Sequence, residues 1–297
     1  MPRAPRRRLD GVLLLDKPVG PSSSAVLQSV KRLLDAEKAG HAGTLDPLAS
    51  GLLPLLFGEA TKFAQYGLDA AKEYVADVRL GSATETGDSE GRVTETRPVD
   101  VSDAALASAL GRFRGEISQV PPMYSALKRD GQPLYALARE GKSVEREARA
   151  VTIHALELLA RDATVLRLRI RCSKGTYVRQ LAVDLGAVLG TVAHLGALRR
   201  TAVGGFRIEE AVTLDDFQAL GDAGRVAWLL PPDRLLGELP RIDLEEPFAG
   251  RFLQGQAVPV TGPAGSCRVY RRGGALLGVG EVRGGGTLHP VRLLASG

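Results

Sequence analysis

The sequence contains few of the residues that build disulfide frameworks or local metal sites. Its two cysteines, Cys172 and Cys267, lie far apart in the chain and cannot form a CxxC-type zinc site or a disulfide framework. The four histidines are equally scattered, with no HExxH spacing among them: His41, His154, His194 and His289. We therefore expect no metal site, and the cysteine usage indicates a reducing cytoplasm.

Long hydrophobic runs are also missing. The apolar run at residues 12–15 is closed by Asp16 and Lys17 before it reaches the length of a signal peptide. The run at residues 52–57 contains Pro54 and is far shorter than a membrane span. We expect a protein that is neither exported nor embedded in a membrane.

What remains is the composition of an ordinary globular protein. Of the 297 residues, 44% are hydrophobic and 25% are charged, which excludes a disordered chain and a collagen-like repeat. A chain of this length usually outgrows a single hydrophobic core, so we expect one large domain and one small one. The net charge of +5 is modest evidence for a polyanionic partner. Part of that charge lies in an N-terminal tail: Arg3, Arg6, Arg7 and Arg8.

Hydrophobic periodicity predicts strands interrupted by separate helices. Residues 11–16 read as a buried strand, and the serines at 22–24 precede a helical pattern. Alternation with period two predicts strands at residues 74–80 and 165–172, and the second of these has one apolar face and one basic face. After turn residues at 173–175 the spacing becomes helical, so Tyr177 and Arg179 begin a helix. This irregular order favours an α+β fold with a mixed sheet.

Three further segments complete the predicted organisation. Residues 121–149 are basic and turn-rich around a short helical pattern at 134–139, and we interpret them as an insertion. Prolines at 231, 232 and 240 mark a linker, and short β-like runs follow at 276–279 and 291–294. We expect a large domain over residues 1–238 and a small β domain over residues 240–297.

Three strings match known motifs but lack the required context. Residues 87–91 fit the GxSxG pattern of a nucleophile elbow, yet both flanks are polar, so we interpret them as an exposed hairpin turn. The string Gly141-Lys142-Ser143 has Ala136 where a P-loop needs its first glycine. The string Gly278-Val279-Gly280 is followed by Arg283 where a dinucleotide fingerprint needs its third glycine.

One glycine-punctuated loop carries residues suited to chemistry. The run Ala39-Gly-His-Ala-Gly-Thr-Leu-Asp46-Pro-Leu-Ala-Ser-Gly51 presents a histidine, a threonine and a carboxylate. Loops of this kind carry function disproportionately often. The residues alone leave open a plain turn at Asp46-Pro47 with a surface histidine at position 41.

This loop resembles the GHTGTLDPLATGLL signature of the bacterial tRNA pseudouridine-55 synthases, the TruB family, with Ala42 where that family often has threonine. The resemblance extends in order through six further segments: residues 11–18, 58–62, 72–74, 122–128, 172–179 and 195–200. It implies the family's α+β pseudouridine synthase fold for the large domain, with a thumb-like insertion at about 121–149. For residues 240–297 it implies a small β-barrel PUA-like domain that binds RNA.

The resemblance further implies that the chain isomerises uridine 55 in the T arm of tRNA to pseudouridine. This reaction breaks the N1 glycosidic bond, turns the base and rejoins it through C5. Nothing is oxidised, added or lost, so it implies no cofactor. Asp46 matches the catalytic aspartate, a group that can act as a nucleophile or stabilise positive charge at the sugar carbon. Whether it attacks the base, attacks the sugar or assists proton removal stays open.

The resemblance assigns five more residues to the site. Arg179 matches the arginine that pairs with the aspartate and keeps it ionised, although a surface arginine at a helix start is the alternative. Tyr74 matches the tyrosine that stacks on the base, where a core aromatic is the alternative. Tyr177 and Leu198 match positions that line the uridine pocket, with structural packing as the alternative. His41 matches the histidine that fills the place of the flipped uridine in the RNA loop.

Lys17 is expected to brace the catalytic loop. The implied partner is the T-arm stem-loop of tRNA, with phosphate contacts from the insertion, the basic strand face and the arginine-rich tail. We expect no membrane contact, no obligatory protein partner and a monomeric protein.

Two other classes of function stay open at this point. One is a non-catalytic RNA-binding module, which would not require Asp46, Tyr74 and Arg179 together. The other is an aspartate-dependent hydrolase acting on a small glycosidic substrate, against which the absence of an evident partner acid counts.

Overall fold

A computed structural model describes residues 5–124, 128–129, 132–133, 137 and 144–294. The strands are β1 (Gly11–Lys17), β2 (Ala39–His41), β3 (Ala49–Phe57), β4 (Lys72–Leu80), β5 (Ser82–Thr84), β6 (Val93–Thr96), β7 (Gly115–Gln119), β8 (Lys128–Arg129), β9 (Gln132–Pro133), β10 (Arg149–Arg161), β11 (Val165–Cys172), β12 (Ala193–Val203), β13 (Phe206–Arg207), β14 (Val212–Thr213), β15 (Arg241–Leu244), β16 (Val258–Pro259), β17 (Gly265–Arg271), β18 (Leu276–Arg283) and β19 (Thr287–Leu293). The α-helices are α1 (Ser23–Leu33), α2 (Ala64–Asp69), α3 (Asp103–Arg112), α4 (Val178–Val188), α5 (Leu214–Ala219), α6 (Asp222–Ala227) and α7 (Phe248–Leu253). Short 3-10 helices cover Gly58–Phe63, Ile208–Glu210 and Pro232–Leu236.

The large domain is built on one mixed sheet, which confirms the predicted α+β class. The strand order is β14-β1-β3-β12-β4-β11-β10-β7, with β2 added to β3 and β13 to β12. The pairs β1 with β14 and β3 with β12 are parallel, whereas the other pairs in this sheet are antiparallel. The parallel pair β3–β12 occupies the third and fourth places in this order, inside the sheet. It brings the strand that follows the glycine-punctuated loop beside residues 198–200.

The predicted elements around the loop are present. Strand β1 is almost fully buried, and Ser22 caps α1 by accepting a hydrogen bond from the Ala25 backbone N–H. Strand β11 alternates buried and exposed residues over the predicted span. Helix α4 begins directly after Tyr177, which serves as its N-cap residue.

The basic face of β11 is less basic than the sequence predicts. Arg167 forms a two-pronged ion pair with Asp77 of β4 at 2.7 and 2.9 Å, and Arg169 pairs with Glu157 of β10 at 3.0 Å. Acidic residues on the neighbouring strands, which no single-strand pattern reveals, neutralise part of this face.

The inserted segment joins two paired strands. Strands β7 and β10 are antiparallel neighbours at the edge of the sheet, so the residues between them leave this edge and return to it. The helical pattern predicted at residues 134–139 lies outside the described residues except for position 137, which is helical. The string at residues 141–143 also lies outside them.

The C-terminal residues form the predicted small β domain. Its five strands form one sheet in the order β15-β17-β18-β19-β16, a half-barrel around a separate hydrophobic core that includes Phe252, Val269 and Leu288. Val279 of β18 instead packs into a core cluster of the large domain, and Lys62 donates a hydrogen bond to the Leu293 carbonyl at 3.0 Å. Among the described residues, no helix is long and apolar enough to cross a membrane.

Gly51 is required where β3 and β12 meet. Its φ is +103°, and a Cβ atom there would overlap the carbonyl oxygen of Arg200. We expect Gly51→Ala to lower the free energy of unfolding by about 1–3 kcal/mol more than Gly20→Ala does, because overpacking adds to the backbone cost. Gly20 is a matched control, since its φ is +111° and a Cβ atom added there would have no neighbouring atom within 4 Å. Urea denaturation of both variants checks this, and equal losses would contradict it.

Candidate active site

The loop of residues 42–48 connects β2 to β3 and is fixed at several backbone positions. The Ser23 hydroxyl, buried at the start of α1, accepts from the Leu45 N–H at 2.8 Å and donates to the Leu45 carbonyl at 2.9 Å. The Gly20 N–H donates to the Pro47 carbonyl at 2.8 Å. These contacts hold the backbone on both sides of Asp46, so the position of its carboxylate is preorganised.

Asp46 and Arg179 form an ion pair at the mouth of a cavity. The Arg179 Nη2 donates to Asp46 Oδ2 at 2.6 Å. The Arg179 side chain is only 8% exposed, whereas that of Asp46 is 48% exposed. The Arg179 side chain is therefore buried in the protein, whereas the Asp46 carboxylate is accessible to a ligand. The structure brings together these two residues, which are 133 positions apart in the sequence.

A second, buried carboxylate lies behind Arg179. Asp88 Oδ2 is 3.3 Å from Arg179 Nε, and the Asp88 side chain is 3% exposed. Its other oxygen accepts from the Thr86 hydroxyl and, at 3.1 Å, from the Glu90 N–H. Arg179 also donates to the Thr86 carbonyl at 3.3 Å. Arg179 is thus held by the Thr86 carbonyl and by the charge of Asp88 as well as by Asp46, although its Nε has no hydrogen-bond partner among the described residues.

Asp88 belongs to the GxSxG string at residues 87–91. The string lies in the connection between the paired strands β5 and β6, as predicted for a hairpin, but Asp88 is buried, so the prediction of an exposed turn is wrong at this residue. The reason is tertiary: the Leu195 N–H donates to the Gly87 carbonyl, and the Ser89 N–H donates to the Leu195 carbonyl, each at 3.0 Å. Strand β12 thereby draws the hairpin onto the sheet. Sequence reasoning missed Asp88 because its partner Arg179 lies on a distant helix.

The cavity beside the ion pair has a volume of about 220 Å³. This is smaller than the roughly 300–1,000 Å³ of pockets for drug-sized ligands. It is lined by Thr44, Leu45, Asp46, Tyr74, Thr176, Tyr177, Val178, Arg179, Leu195 and Leu198. The predicted residues Asp46, Tyr74, Arg179, Tyr177 and Leu198 therefore share one cavity.

Tyr74 and Tyr177 reach this cavity from different elements. Burial raises the pKa of the Tyr74 hydroxyl, against the opposing effect of the nearby Arg200 guanidinium, so the phenol keeps its proton at neutral pH. The backbone of Tyr177 is held by Gln119, whose amide accepts from the Tyr177 N–H at 2.8 Å and donates to its carbonyl at 3.1 Å. The cavity thus presents a neutral hydroxyl and an aromatic ring close to a carboxylate.

Lys17, the last residue of β1, is fully buried. Its ammonium donates to the carbonyls of Pro18 and Pro21, both at 2.8 Å. Burial lowers its pKa to about 8, while the negative charge of Asp46 acts in the opposite direction. Lys17 therefore braces the segment before α1 and contributes positive charge near Asp46 at neutral pH.

His41 lies at the end of β2, just before the loop, and does not line the cavity. Its ring is partly buried, and among the described residues its Nδ1 has no hydrogen-bond partner. Burial, and secondarily the charge of Arg200, lower its pKa, so the imidazole is neutral at pH 7. The insertion of this ring into an RNA loop stays a prediction.

Arg200 and Lys72 are buried residues for which the sequence suggested no role. Arg200 donates to the carbonyls of Leu52 at 2.7 Å, Gly43 at 3.0 Å and Thr44 at 3.4 Å. The Lys72 ammonium donates to the carbonyls that end α2, including that of Ala70 at 2.7 Å. Both residues lie within the segments that resemble the family, 72–74 and 195–200, and this resemblance is the signal in the sequence that could have pointed to them.

The structure places further carboxylates near Asp46 that are not evident from the sequence. Besides Asp88, the side chain of Glu90 lies close enough for the charges of Asp88 and Asp46 to raise its pKa, although burial is the larger cause. In the part of the chain that is described, no group of three or more histidine, cysteine, aspartate or glutamate residues could hold a metal ion.

Comparison with solved structures defines the class of protein. The chain superimposes with a TM-score of 0.72 and 29% identity on a protein in "Crystal Structure of a Cbf5-Nop10-Gar1 Complex", covering 92% of this chain and 78% of that one. It superimposes with a TM-score of 0.74 and 26% identity on a chain in "Structure of H/ACA RNP bound to a substrate RNA containing 2'-deoxyuridine", covering 96% and 85%. Together with the mixed sheet, these similarities define a pseudouridine synthase fold.

The sequence comparisons then identify the family. Residues 31–178 match the TruB family pseudouridylate synthase N-terminal domain, residues 179–236 the tRNA pseudouridylate synthase B C-terminal domain, and residues 240–294 the pseudouridine synthase II TruB C-terminal domain. The chain is 57% identical to tRNA pseudouridine synthase B of Aromatoleum aromaticum, covering 99% of this chain and 96% of the relative. It is 52% identical to that of Chromobacterium violaceum, covering 99% and 98%. The chain belongs to the TruB family of pseudouridylate synthases, which are isomerases.

Proposed function

We propose that the protein converts uridine 55 in the T arm of tRNA to pseudouridine and that Asp46 is the essential group. The observation that carries this proposal is the Asp46–Arg179 ion pair at the mouth of a small cavity, in a chain of the TruB family. The relatives that are named tRNA pseudouridine synthase B support tRNA as the substrate.

The site geometry suits an isomerisation at a glycosidic carbon. A carboxylate held by Arg179 stays charged when RNA excludes water, because the paired guanidinium offsets the loss of hydration. It can then attack the base or the sugar, or assist proton removal. Tyr74, still protonated, stacks on the base and can exchange a proton with it, while Tyr177 and Leu198 enclose the ring. The reaction is redox-neutral, so we propose that no cofactor takes part.

The target base must leave its stack before it can enter this cavity. Flipping costs a few kcal/mol, which contacts made only with the flipped RNA must offset. We propose that His41, which directly precedes the loop, occupies the vacated position. Phosphate contacts then come from the insertion and the N-terminal tail more than from the face of β11, because Arg167 and Arg169 are already paired with acids.

We also propose the domain assignment and the state of assembly. Residues 1–238 are the catalytic domain with its insertion at about 121–149, and residues 240–297 are a PUA-like RNA-binding domain. The separate core of the latter, around Phe252, supports this division. One similar chain belongs to a Cbf5-Nop10-Gar1 complex and another to an H/ACA RNP, but here we propose a monomer that binds tRNA without an obligatory protein partner.

Release of tritium from tRNA labelled at C5 of uridine tests the function, because rejoining the base through C5 expels that hydrogen. We expect one equivalent of tritium per tRNA, and none from tRNA in which uridine 55 is replaced by cytidine. Undiminished release from the replaced tRNA would contradict the assignment to this position. Free uracil without tritium release would instead indicate the hydrolase, and binding without either product would indicate the non-catalytic module.

Asp88 is expected to affect the rate through Arg179. We expect Asp88→Asn to slow single-turnover pseudouridine formation by up to about 100-fold, because without the Asp88 charge Arg179 loses an ion-pair partner and holds the Asp46 carboxylate less firmly. The affinity for tRNA should change little, since Asp88 is buried away from the RNA.

Glu85→Gln is the matched control for this prediction. Glu85 lies in the same hairpin connection but is exposed and pairs with Arg92. Its replacement should leave the rate unchanged. A wild-type rate for Asp88→Asn would show that Arg179 needs no second carboxylate.

A further inference from the structure

The two domains enclose a second cavity that the proposed reaction does not use. Its volume is about 460 Å³, within the roughly 300–1,000 Å³ range of small-molecule sites, which occur preferentially at domain interfaces. Its walls come from α2, from the turn after β12, from the 3-10 helix Pro232–Leu236 and the residues after it, and from β17 of the small domain.

One wall of this interdomain cavity is apolar and aromatic. It includes Tyr66, Val203, Phe206 and Leu235. Arg234, which also lines the cavity, lies 6.0 Å from the centre of the Phe206 ring and pairs with Glu210, so its charge is already balanced. Such a surface suits a planar ring.

The small domain contributes two arginines whose side chains have no hydrogen bond or ion pair with the residues that the structure describes. Arg268 and Arg292 both lie opposite Val279, one on each neighbouring strand, so the three side chains project from the same face of the sheet. Since Val279 packs into the large domain, this face is turned towards the domain interface. Neighbouring strands are about 4.8 Å apart, which separates the two arginines by about 10 Å at the backbone.

The lack of partners distinguishes these two arginines from the others in the small domain. Among the described residues, the Arg268 and Arg292 side chains make no hydrogen bond or ion pair, and the buried Arg268 Nε is unsatisfied. The other arginines of this domain each have a polar partner: Arg241, Arg251, Arg271, Arg272 and Arg283. Arg268 lines the cavity, and Arg292 is close enough to Tyr66 to oppose the rise that burial causes in the pKa of this tyrosine. Two unpaired guanidinium groups on one face, one of them with a buried Nε, favour an anionic ligand.

Two acidic residues, Asp233 and Glu238, also line the cavity. Asp233 accepts a hydrogen bond from the Tyr270 hydroxyl at 2.6 Å, and Arg241 stacks on that tyrosine ring at 4.0 Å. A ligand that combines an anionic group, hydroxyl or amino donors and a planar body matches this lining.

We propose that this cavity binds a nucleoside monophosphate group. The phosphate lies between Arg268 and Arg292, the base packs on the wall formed by Tyr66 and Phe206, and a ribose hydroxyl donates to Glu238. This chemistry has two sources: a free nucleotide, or an unpaired nucleotide of an RNA bound elsewhere on the protein.

Calorimetric titration of the full-length protein with AMP tests the site. For a free nucleotide we expect saturable binding of AMP, at least about tenfold weaker binding of adenosine, and at least about tenfold weaker binding of AMP to Arg268→Gln. The exposed Arg292→Gln variant should show the same loss and guards against misfolding of the first variant. Arg283→Gln, whose arginine is paired with Glu281, is the matched control and should bind AMP like the wild type.

Binding of RNA distinguishes the second source. If AMP does not bind and the ligand is instead a nucleotide of a bound RNA, Arg268→Gln and Arg292→Gln should each bind full-length tRNA at least about tenfold more weakly than the wild type. Their affinity for an isolated T-arm stem-loop should be unchanged. The site is disproved if Arg268→Gln and Arg292→Gln alter neither AMP nor tRNA binding, or if Arg283→Gln has an equal effect. These affinities do not depend on the chemistry of Asp46, so failure of the proposed nucleotide site can be distinguished from failure of the proposed reaction.

Discussion

The Asp46→Asn variant should release tritium from tRNA labelled at C5 of uridine at least about 10⁴-fold more slowly than the wild type. The amide keeps the shape of the carboxylate but carries no charge. It can neither act as the nucleophile nor stabilise positive charge at the sugar carbon. The T-arm stem-loop should still bind with an affinity close to that of the wild type, because the rest of the cavity and the RNA-facing surfaces are intact. Filter binding and single-turnover kinetics on the same preparation measure both quantities.

Asp69→Asn is the matched control for this variant. Asp69 is a similarly exposed aspartate, 42% against 48%, and it also forms an ion pair, with Lys174 at 2.7 Å, but it does not line the cavity. Its replacement should leave the rate within about twofold of the wild type, as expected for an exposed pair of small energetic value. Appreciable tritium release by Asp46→Asn would remove this residue from the reaction.

Arg200→Gln should lower the free energy of unfolding by at least about 3 kcal/mol. Arg200 is almost fully buried, and its guanidinium reaches three backbone carbonyls, those of Gly43, Thr44 and Leu52. A shorter neutral side chain leaves these acceptors unsatisfied at a cost of about 1–3 kcal/mol each. The rate should fall as well, because Gly43 and Thr44 precede Asp46 in the loop. Urea denaturation followed by single-turnover kinetics checks both effects.

Arg199→Gln on the same strand provides the comparison. Arg199 is partly exposed and forms a two-pronged pair with Asp16 at 2.6 and 3.0 Å. Exposed ion pairs contribute about 0–1 kcal/mol, so this replacement should be nearly neutral for stability. Equal destabilisation by the two variants would show that the hydrogen bonds from the buried Arg200 stabilise the protein no more than an exposed ion pair does.

The local elements of the fold could be predicted from the sequence. Strands β1, β4 and β11 and the start of α4 have clear periodicity or turn residues next to them, and each lies where the pattern placed it. The short strands β2, β13 and β14, of two or three residues each, could not be predicted. Such pieces have no period of their own and exist because the central sheet supplies their hydrogen-bond partners.

Parts of the site depend on contacts between distant segments. The resemblance to the family placed Asp46, Tyr74, Arg179, Tyr177 and Leu198 in one pocket, and the structure shows them lining the same cavity. Neither periodicity nor the family motifs indicated that Asp88 is buried behind Arg179, because its hairpin is polar and is drawn inwards by backbone hydrogen bonds to β12. The pairing of Arg167 with Asp77 was hidden for the same reason, since register between strands is a tertiary property.

Mass mapping of a tRNA transcript after cyanoethylation tests the central claim most directly. Pseudouridine, unlike uridine, acquires a cyanoethyl group and the corresponding added mass under these conditions. After incubation with the wild-type protein, we predict one adduct, in the T-arm fragment at position 55, and none after incubation with Asp46→Asn. A transcript without an adduct, an adduct at another position, or an equal adduct with the Asp46→Asn protein would contradict the account.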